Sequence, residues 1–514
     1  MAEAEIDKIS ELPDDVLLDI LGRLVVTAGD VHAVARTSIL SRRWRSLPWP
    51  QITGVSLDVS KFFIPSDEWQ RVRRRRRRRR RAWEQDQRHA RAAFTDALAR
   101  FLEAPASKRV IEKLSLKFFL RRRDDLRRIG DLVGAAATGG VVKSVELKIV
   151  VTEMERVAPE LEEQTKLGNG ERFGHFLHDC PGAFRSITKL TLKDLWFHDA
   201  AELNSNLLRG CCNLQFLSLS SCGIFYPKTL PNADEPSRPP ALTVDAPESR
   251  LEFLQCDLCD IGGVELVQAP ALSGFSYHAK VIEDSAPISF GCTPSLKCLS
   301  LGHCQGEDTF VKLKLSELLV NGGGQLEYLR LSFMNGKIWL QTERPKQLRA
   351  AIGRLKYLTL TNIPPECNLS SAMFLLEAAP FLETLDIKIC NHICIDSWHE
   401  KDEENASPAW QWQPSPSFRH HHLKQFSLSR AFHVEKDLSF ARMVMGLAVN
   451  LQAVTLRVKS LGCPRCIDTL PKYPELARSR SRFTEGSGYV DGFMKELMDG
   501  ITSAKMTLHL ADLV

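Results

Sequence analysis

Apolar residues near the amino terminus recur at helical spacing: Leu12, Val16, Leu17, Ile20, Leu21 and Leu24 share one side of a predicted helix. Pro13 suits the first turn, where no hydrogen bond is asked of its nitrogen, and Asp14 and Asp15 suit the positive end of the helix dipole. Two shorter helical patterns follow, around Val31 to Thr37 and around Ser41 to Leu47, the latter carrying Trp44. Three short helices enclose too little interior for so many large side chains, so a partner or the rest of the chain must supply a wall.

A different pattern then takes over. Leu-x-x-Leu-x-Leu, with tolerated substitutions, starts at Ile111, Val142, Ile187, Leu214, Leu251, Leu272, Leu296, Leu326, Leu355, Leu382, Leu423 and Leu451, at intervals of 21 to 45 residues. The last two apolar positions of each copy alternate inward on a strand and the first packs the turn entering it. Helix-like stretches lie between copies, at Phe94 to Leu102, Asp125 to Ala136 and Ser371 to Ala379, so the predicted unit is helix then strand. Stacked units share one core. Three polar or proline-bearing insertions, Glu153 to Gly170, Pro227 to Pro247 and Asp396 to Pro416, read as loops leaving the repeats, where binding residues are often carried.

Composition narrows the function classes. With 514 residues and 44% hydrophobic content, the chain is long enough for at least two structural units. The formal charge of +5 misleads, because ten of 68 basic residues, Arg71 and Arg73 to Arg81, form one tract; the remaining 58 face 63 acidic residues. The body is thus no general nucleic-acid-binding surface. No secretory signal is evident at MAEAEIDKIS, and no run of eighteen apolar residues marks a transmembrane helix. A soluble cytoplasmic and/or nuclear protein with no membrane partner is expected, its fourteen cysteines reduced and largely packed as small apolar residues.

Candidate chemistry adds little. Arg73, Arg74, Arg75, Arg76, Arg77, Arg78, Arg79, Arg80 and Arg81 form a candidate nuclear-import tract or phosphate contact, weighed against a solvated, self-repelling insertion, which is favoured. No aromatic residue interleaves to stack bases. Cys390, His392 and Cys394 alternate on a predicted strand, with His399 nearby, but the repeat already explains inward cysteines. The pairs Cys256/Cys259 and Cys463/Cys466 lie too far apart in sequence for a zinc ribbon. His420, His421 and His422 read as solvated loop residues. Gly322, Gly323 and Gly324 precede a strand rather than a helix, so they make no phosphate loop. Neither a metal, a cofactor nor a catalytic constellation is assigned.

The segment ISELPDDVLLDILGRL, followed by ARTSILSRRWRSL, resembles the F-box of plant-type F-box proteins, keeping Leu12, Pro13, Asp14, Asp15, Val16, Leu17, Ile20, Leu21, Leu24, Arg36, Thr37, Ser38, Leu40, Ser41, Arg43 and Trp44. It departs in a longer linker, VVTAGDVHAVA, and in Pro48 between Leu47 and Trp49. The body, with its HLKQFSLSR segment, is similar to plant F-box/leucine-rich-repeat proteins. That resemblance implies an α/β protein: a three-helix F-box (1–60), a basic arginine-rich linker or insertion (61–90), a curved leucine-rich-repeat solenoid with a parallel sheet (91–460) and a carboxy-terminal cap or tail (461–514). It further implies a non-catalytic substrate receptor of a cullin–RING ubiquitin ligase. Leu12, Pro13, Val16, Leu17, Ile20, Leu21, Leu24, Leu40 and Trp44 would form or support the interface with a Skp-family adaptor, through which a cullin joins. The repeats would hold an unknown protein substrate. Rival readings are a plain repeat scaffold capped by the amino-terminal helices, and a nuclear nucleic-acid-associated protein using the arginine tract, which is disfavoured.

Overall fold

The computed structural model describes residues 12–17, 19–20, 54–63, 76–102, 110–151, 159–199, 207–208, 210–226, 239–279, 287–303, 313–320, 324–333, 339–363, 369–389, 417–430, 434–459 and 505–511, with single residues at 201, 322, 415 and 495. They divide into two compact units, one within Met1–Pro240 and Glu248–Leu251, the other within Ala241–Pro247 and Glu252–Val514.

The first unit carries β1 (Gly54–Asp58), β2 (Ile111–Phe119), β3 (Val142–Val150), β4 (Ile187–Lys193), β5 (Trp196–Phe197), β6 (Phe216–Ser220) and β7 (Gly223–Ile224). Strands β1-β2-β3-β4-β6 pair parallel in that order, and β5 pairs with β7. Helices α1 (Arg76–Leu102), α2 (Arg123–Thr138), α3 (Pro159–Asp179) and α4 (Pro181–Arg185) connect them. A chain of aromatic contacts runs through the core: Phe62 to Phe94 (5.8 Å), Phe94 to Phe118 (6.4 Å), Phe118 to Phe176 (5.9 Å) and Phe176 to Phe184 (5.0 Å). It joins helices to strands, and each such ring pair adds about 0.5–1.5 kcal/mol beyond its buried area.

In the second unit, β9 (Phe253–Asp257), β11 (Gly274–Ala279), β13 (Cys298–His303), β14 (Tyr328–Phe333), β15 (Tyr357–Ile363), β16 (Thr384–Ile389), β17 (Gln425–Arg430), β18 (Ala453–Lys459) and β19 (Lys505–Ala511) pair parallel in that order. Helices α5 (Leu315–Leu318), α6 (Pro345–Ile352), α7 (Met373–Ala378) and α8 (Val434–Leu447) lie between the later strands. The architecture is α/β with long runs of parallel strands, as the repeat predicts. All twelve predicted repeat starts lead into such strands, and the three apolar positions of every copy are buried; Leu326, Leu329 and Leu331 are representative. The copies also stand in register, Leu329 beside Leu358 and Leu358 beside Leu385.

The structure corrects several expectations. Strands β1 and β19 carry parallel pairing outside the span 91–460. Residues 83–90 do not belong to a linker: α1 runs through them, with Trp83, Gln87, Ala90, Phe94 and Leu98 buried along one helical stripe. Arg91 pairs with Asp125 (3.0 Å) and Arg128 with Asp96 (3.4 Å), tying α1 to α2.

Glu153 to Gly170 is not simply a loop, since α3 begins at Pro159; Phe173, Phe176 and Leu177 bury its far end. Gly170, within α3, permits a close approach, because a methyl there would collide with the Trp196 carbonyl. The helix-then-strand unit also fails between residues 241 and 292. There β8 (Leu242–Asp245), β10 (Val264–Gln268) and β12 (Ile288–Cys292) form a second parallel sheet, β8 falling inside the predicted 227–247 loop. For β10 and β12 the reason is length: the copies starting at Leu251, Leu272 and Leu296 leave room for a short return strand but not a helix, whereas β8 lies in the longer interval after Leu214 and joins this sheet by pairing with β10.

Candidate functional site

Of the predicted adaptor-binding residues, the structure describes the first helical turn. The Leu17 amide donates to the Pro13 carbonyl at 3.1 Å, closing that turn. Leu17 is fully buried, Leu12 and Ile20 are half-buried, and Pro13 and Val16 are exposed, Val16 at 39%. The stripe read as one apolar surface therefore has two roles here: Leu17 is held inside while Pro13 and Val16 face outward. Leu21, Leu24, Leu40 and Trp44 lie outside the described residues, as do Arg73, Arg74 and Arg75. Arg76 to Arg81 form the beginning of α1.

Strand alternation creates a second candidate surface opposite the buried leucines. In the second unit it is rich in hydroxyls: Ser300, Thr359, Thr384, Ser427 and Thr455 occupy strand positions between the buried apolar residues. Tyr328 and Tyr357 stack with centroids 4.1 Å apart and planes 6° from parallel. Asp386 pairs with Lys388 through one carboxylate oxygen (2.8 Å), while its Oδ1 and the Ser427 and Ser429 hydroxyls are buried with no hydrogen-bond partner among the described residues. The sequence signal for all of them is the variable positions of each Leu-x-x-Leu-x-Leu copy, which a search for leucines passes over.

One cluster has the outline of a nucleophilic site. His278 Nδ1 lies 2.8 Å from Asp257 Oδ1, and Ser300 Oγ lies 3.3 Å from His278 Nε2, across β9, β11 and β13. Gln255 donates to the other Asp257 oxygen. Acyl transfer also needs free donors for the developing oxyanion. Strand β13 is paired on both sides, by β11 and β14, so its amides are already bonded. The cluster is therefore a hydrogen-bonded tie between strands. Cysteines offer no stronger chemistry: Cys256 and Cys259 are buried, and burial pushes the Cys211 thiol up to about 12 and that of Cys180 to about 11, keeping both protonated. Among the described residues no three His, Cys, Asp or Glu side chains converge to hold a metal, and no helix is long and apolar enough to cross a membrane. Cys390, His392, Cys394 and His399 lie outside those residues, as do Cys463, Cys466 and nearly all of the Asp396 to Pro416 insertion.

The three histidines before β17 are not alike. His421 and His422 are exposed as expected, whereas His420 is 1% exposed. Its Nδ1 accepts from the Leu423 amide and its Nε2 lies 3.0 Å from the Ala379 carbonyl, so the neutral ring carries its proton on Nε2. Burial holds its pKa below the ordinary histidine value.

Comparison with known proteins gives this geometry a context. The F-box domain family model matches residues 9–48, which contain the Pro13–Leu17 turn. An F-box protein of Arabidopsis thaliana is 30% identical over 222 residues, covering 41% of this chain and 44% of that protein. A putative F-box/FBD/LRR-repeat protein of Arabidopsis thaliana is 29% identical over 218 residues, 41% of each. The meiotic F-box protein of Oryza sativa subsp. japonica is 48% identical over 59 residues, 12% of this chain and 11% of the relative. The chain thus matches less than half the length of each of these curated relatives.

Proposed function

Because the chain belongs to the plant-type F-box family, we propose that it serves as the substrate-receptor subunit of a cullin–RING ubiquitin ligase. The observation that carries this reading is the outward Pro13 and Val16 on the turn closed by Leu17, within the span matched by the F-box model. F-box domains generally bind Skp-family adaptors. An adaptor seated there would link the chain to a cullin, its RING subunit and a charged conjugating enzyme.

The chain itself would contribute proximity. Holding a protein substrate on the repeat body raises the effective concentration of its lysines at the ubiquitin thioester. Parallel strands with solvent-facing Ser, Thr, Tyr and charged side chains suit an extended or folded protein partner better than a small metabolite, which needs an enclosed pocket. The working compartment in this reading is the cytoplasm and/or nucleus.

The test is affinity purification of the tagged full chain from plant tissue beside a variant lacking residues 9–48. The expected result is loss of adaptor and cullin peptides from the variant, with other captured proteins retained. Retention of adaptor by the variant, or its absence from the wild-type sample, contradicts the proposal.

A further inference from the structure

The strand face of the first unit is rich in lysine. Alternation buries Leu114 and Leu116 of β2, Leu147 and Ile149 of β3, and Leu190 and Leu192 of β4. The opposite positions are Lys113 and Lys117, Glu146 and Lys148, and Lys189 and Lys193, with Asp58 contributed by β1. Among the described residues of these strands, five ammonium groups face two carboxylates, with Asp194 just past β4 as a third. Lys113 pairs with Glu146 and Lys117 with Asp58, each at 2.9 Å. The Lys189 ammonium lies 4.5 Å from the centre of the Phe216 ring. Lys193 is 3.9 Å from Asp194, at the limit of an ion pair.

Lys148 is exposed, and no carboxylate among the described residues lies within ion-pair range of it. Its cross-strand neighbours are Lys117 and Thr191. Like charges on facing strand positions destabilise a sheet, so this arrangement gains from a negative group arriving from outside.

We infer that the strand face of the first unit, centred on Lys117, Lys148 and Lys193, docks an acidic peptide segment of a partner protein. The inference rests on the receptor reading above and assigns the chemistry of what is captured. Charge complementarity selects this occupant. In an extended peptide, carboxylates on every fourth residue recur about every 13–14 Å, the separation of Lys113 from Lys117 on β2 and of Lys189 from Lys193 on β4. Lys117 and Lys148 stand side by side on neighbouring strands, about 4.8 Å apart, so a chain crossing β2 and β3 there meets both charges. A nucleic acid fits less well, because Asp58 and Glu146 stand among the lysines and would repel a continuous phosphate backbone. The Phe216 ring lies under an ammonium rather than open to a base.

The experiment titrates the purified full chain into a fluorescein-labelled peptide of alternating glutamate and serine and follows anisotropy; Skp-family adaptor capture is scored on the same preparations. The expected result is binding that weakens as salt rises, and an affinity lowered about tenfold or more by Lys148→Glu with Lys193→Glu. The milder Lys148→Gln with Lys193→Gln lowers it less and stands in if the reversal disturbs melting. Arg122→Glu with Arg127→Glu, an equal charge change at the start of α2, stays within about twofold of wild type. Unchanged peptide affinity in a folded strand-face variant overturns the inference. So does single-stranded DNA of equal charge binding more tightly through the same lysines. If the wild type binds the peptide through these lysines but captures no adaptor, the receptor reading falls and the acidic-peptide face stands; adaptor capture without peptide binding removes the face alone.

Discussion

At His420 the chain buries an imidazole that accepts one backbone hydrogen bond and donates another, so it is built in as a neutral ring. Protonation would turn a donor toward the Leu423 amide and place a charge in a dry site. Burial lowers its folded pKa from the ordinary 6.5. The unfolded chain then takes up the proton more readily, so the stabilisation is present above the ordinary value and is lost as pH falls below it. Urea midpoints should therefore decline as pH drops through and below 6.5. His420→Ala should remove that increment while lowering stability at pH 8 by about 1–3 kcal/mol, from the orphaned backbone groups. An unchanged pH slope in the variant would assign the effect elsewhere. Nothing in His420, His421 and His422 as a sequence separates the buried ring from its exposed neighbours. The difference arises from Ala379, some forty residues earlier, whose carbonyl only the folded chain brings to Nε2. Val16 and Leu17 present the same problem: both are apolar and adjacent, yet one points out and the other in.

The repeat strands were legible because each copy carries three coupled apolar positions, and stacking forces the same face inward every time. Leu358 sits between Leu329 and Leu385 in that stack. Leu358→Ala should cost about 2–5 kcal/mol, read from denaturant unfolding. Combining it with Leu329→Ala should depart from additivity, since the side chains are register neighbours. Full additivity would mean the strands do not share one core at that point. Strand β1 escaped the repeat search although Ile52, Val55 and Leu57 stand at the three apolar positions of a copy, because the arginine tract separates it from the rest, and β8, β10 and β12 escaped because their alternation is short. Helix α1 was half read: its stripe begins at Trp83, but the adjoining arginines give the segment the composition of a linker. Trp83→Ala should lower stability by about 3–5 kcal/mol. Converting Arg76 to Arg81 to glutamine should leave the melting temperature unchanged or raise it, since basic residues oppose the helix dipole at an amino-terminal end. A large fall in melting temperature would show that the arginines themselves hold the fold.

For the molecule as a whole, the proposed function places capture of the ligase machinery and capture of the substrate on different surfaces: an outward turn near the amino terminus and the strand faces of the repeat body. The turn's chemistry was readable from sequence because Leu-Pro-Asp-Asp-Val-Leu fixes a helix start, while partner chemistry lies in variable strand positions that no repeat consensus names. Pro13 and Val16 allow a direct test because both are exposed, so changing them should not disturb the interior that Leu17 occupies. The full chain, as wild type and as Pro13→Ala with Val16→Asp, should be titrated with a purified Skp-family adaptor in a calorimeter, with melting curves recorded for both. The account predicts a one-to-one complex for the wild type, at least about a hundredfold weaker binding for the variant, and matching melting curves. Adaptor binding that survives the double change, or a folded wild-type chain that binds no adaptor, would contradict it.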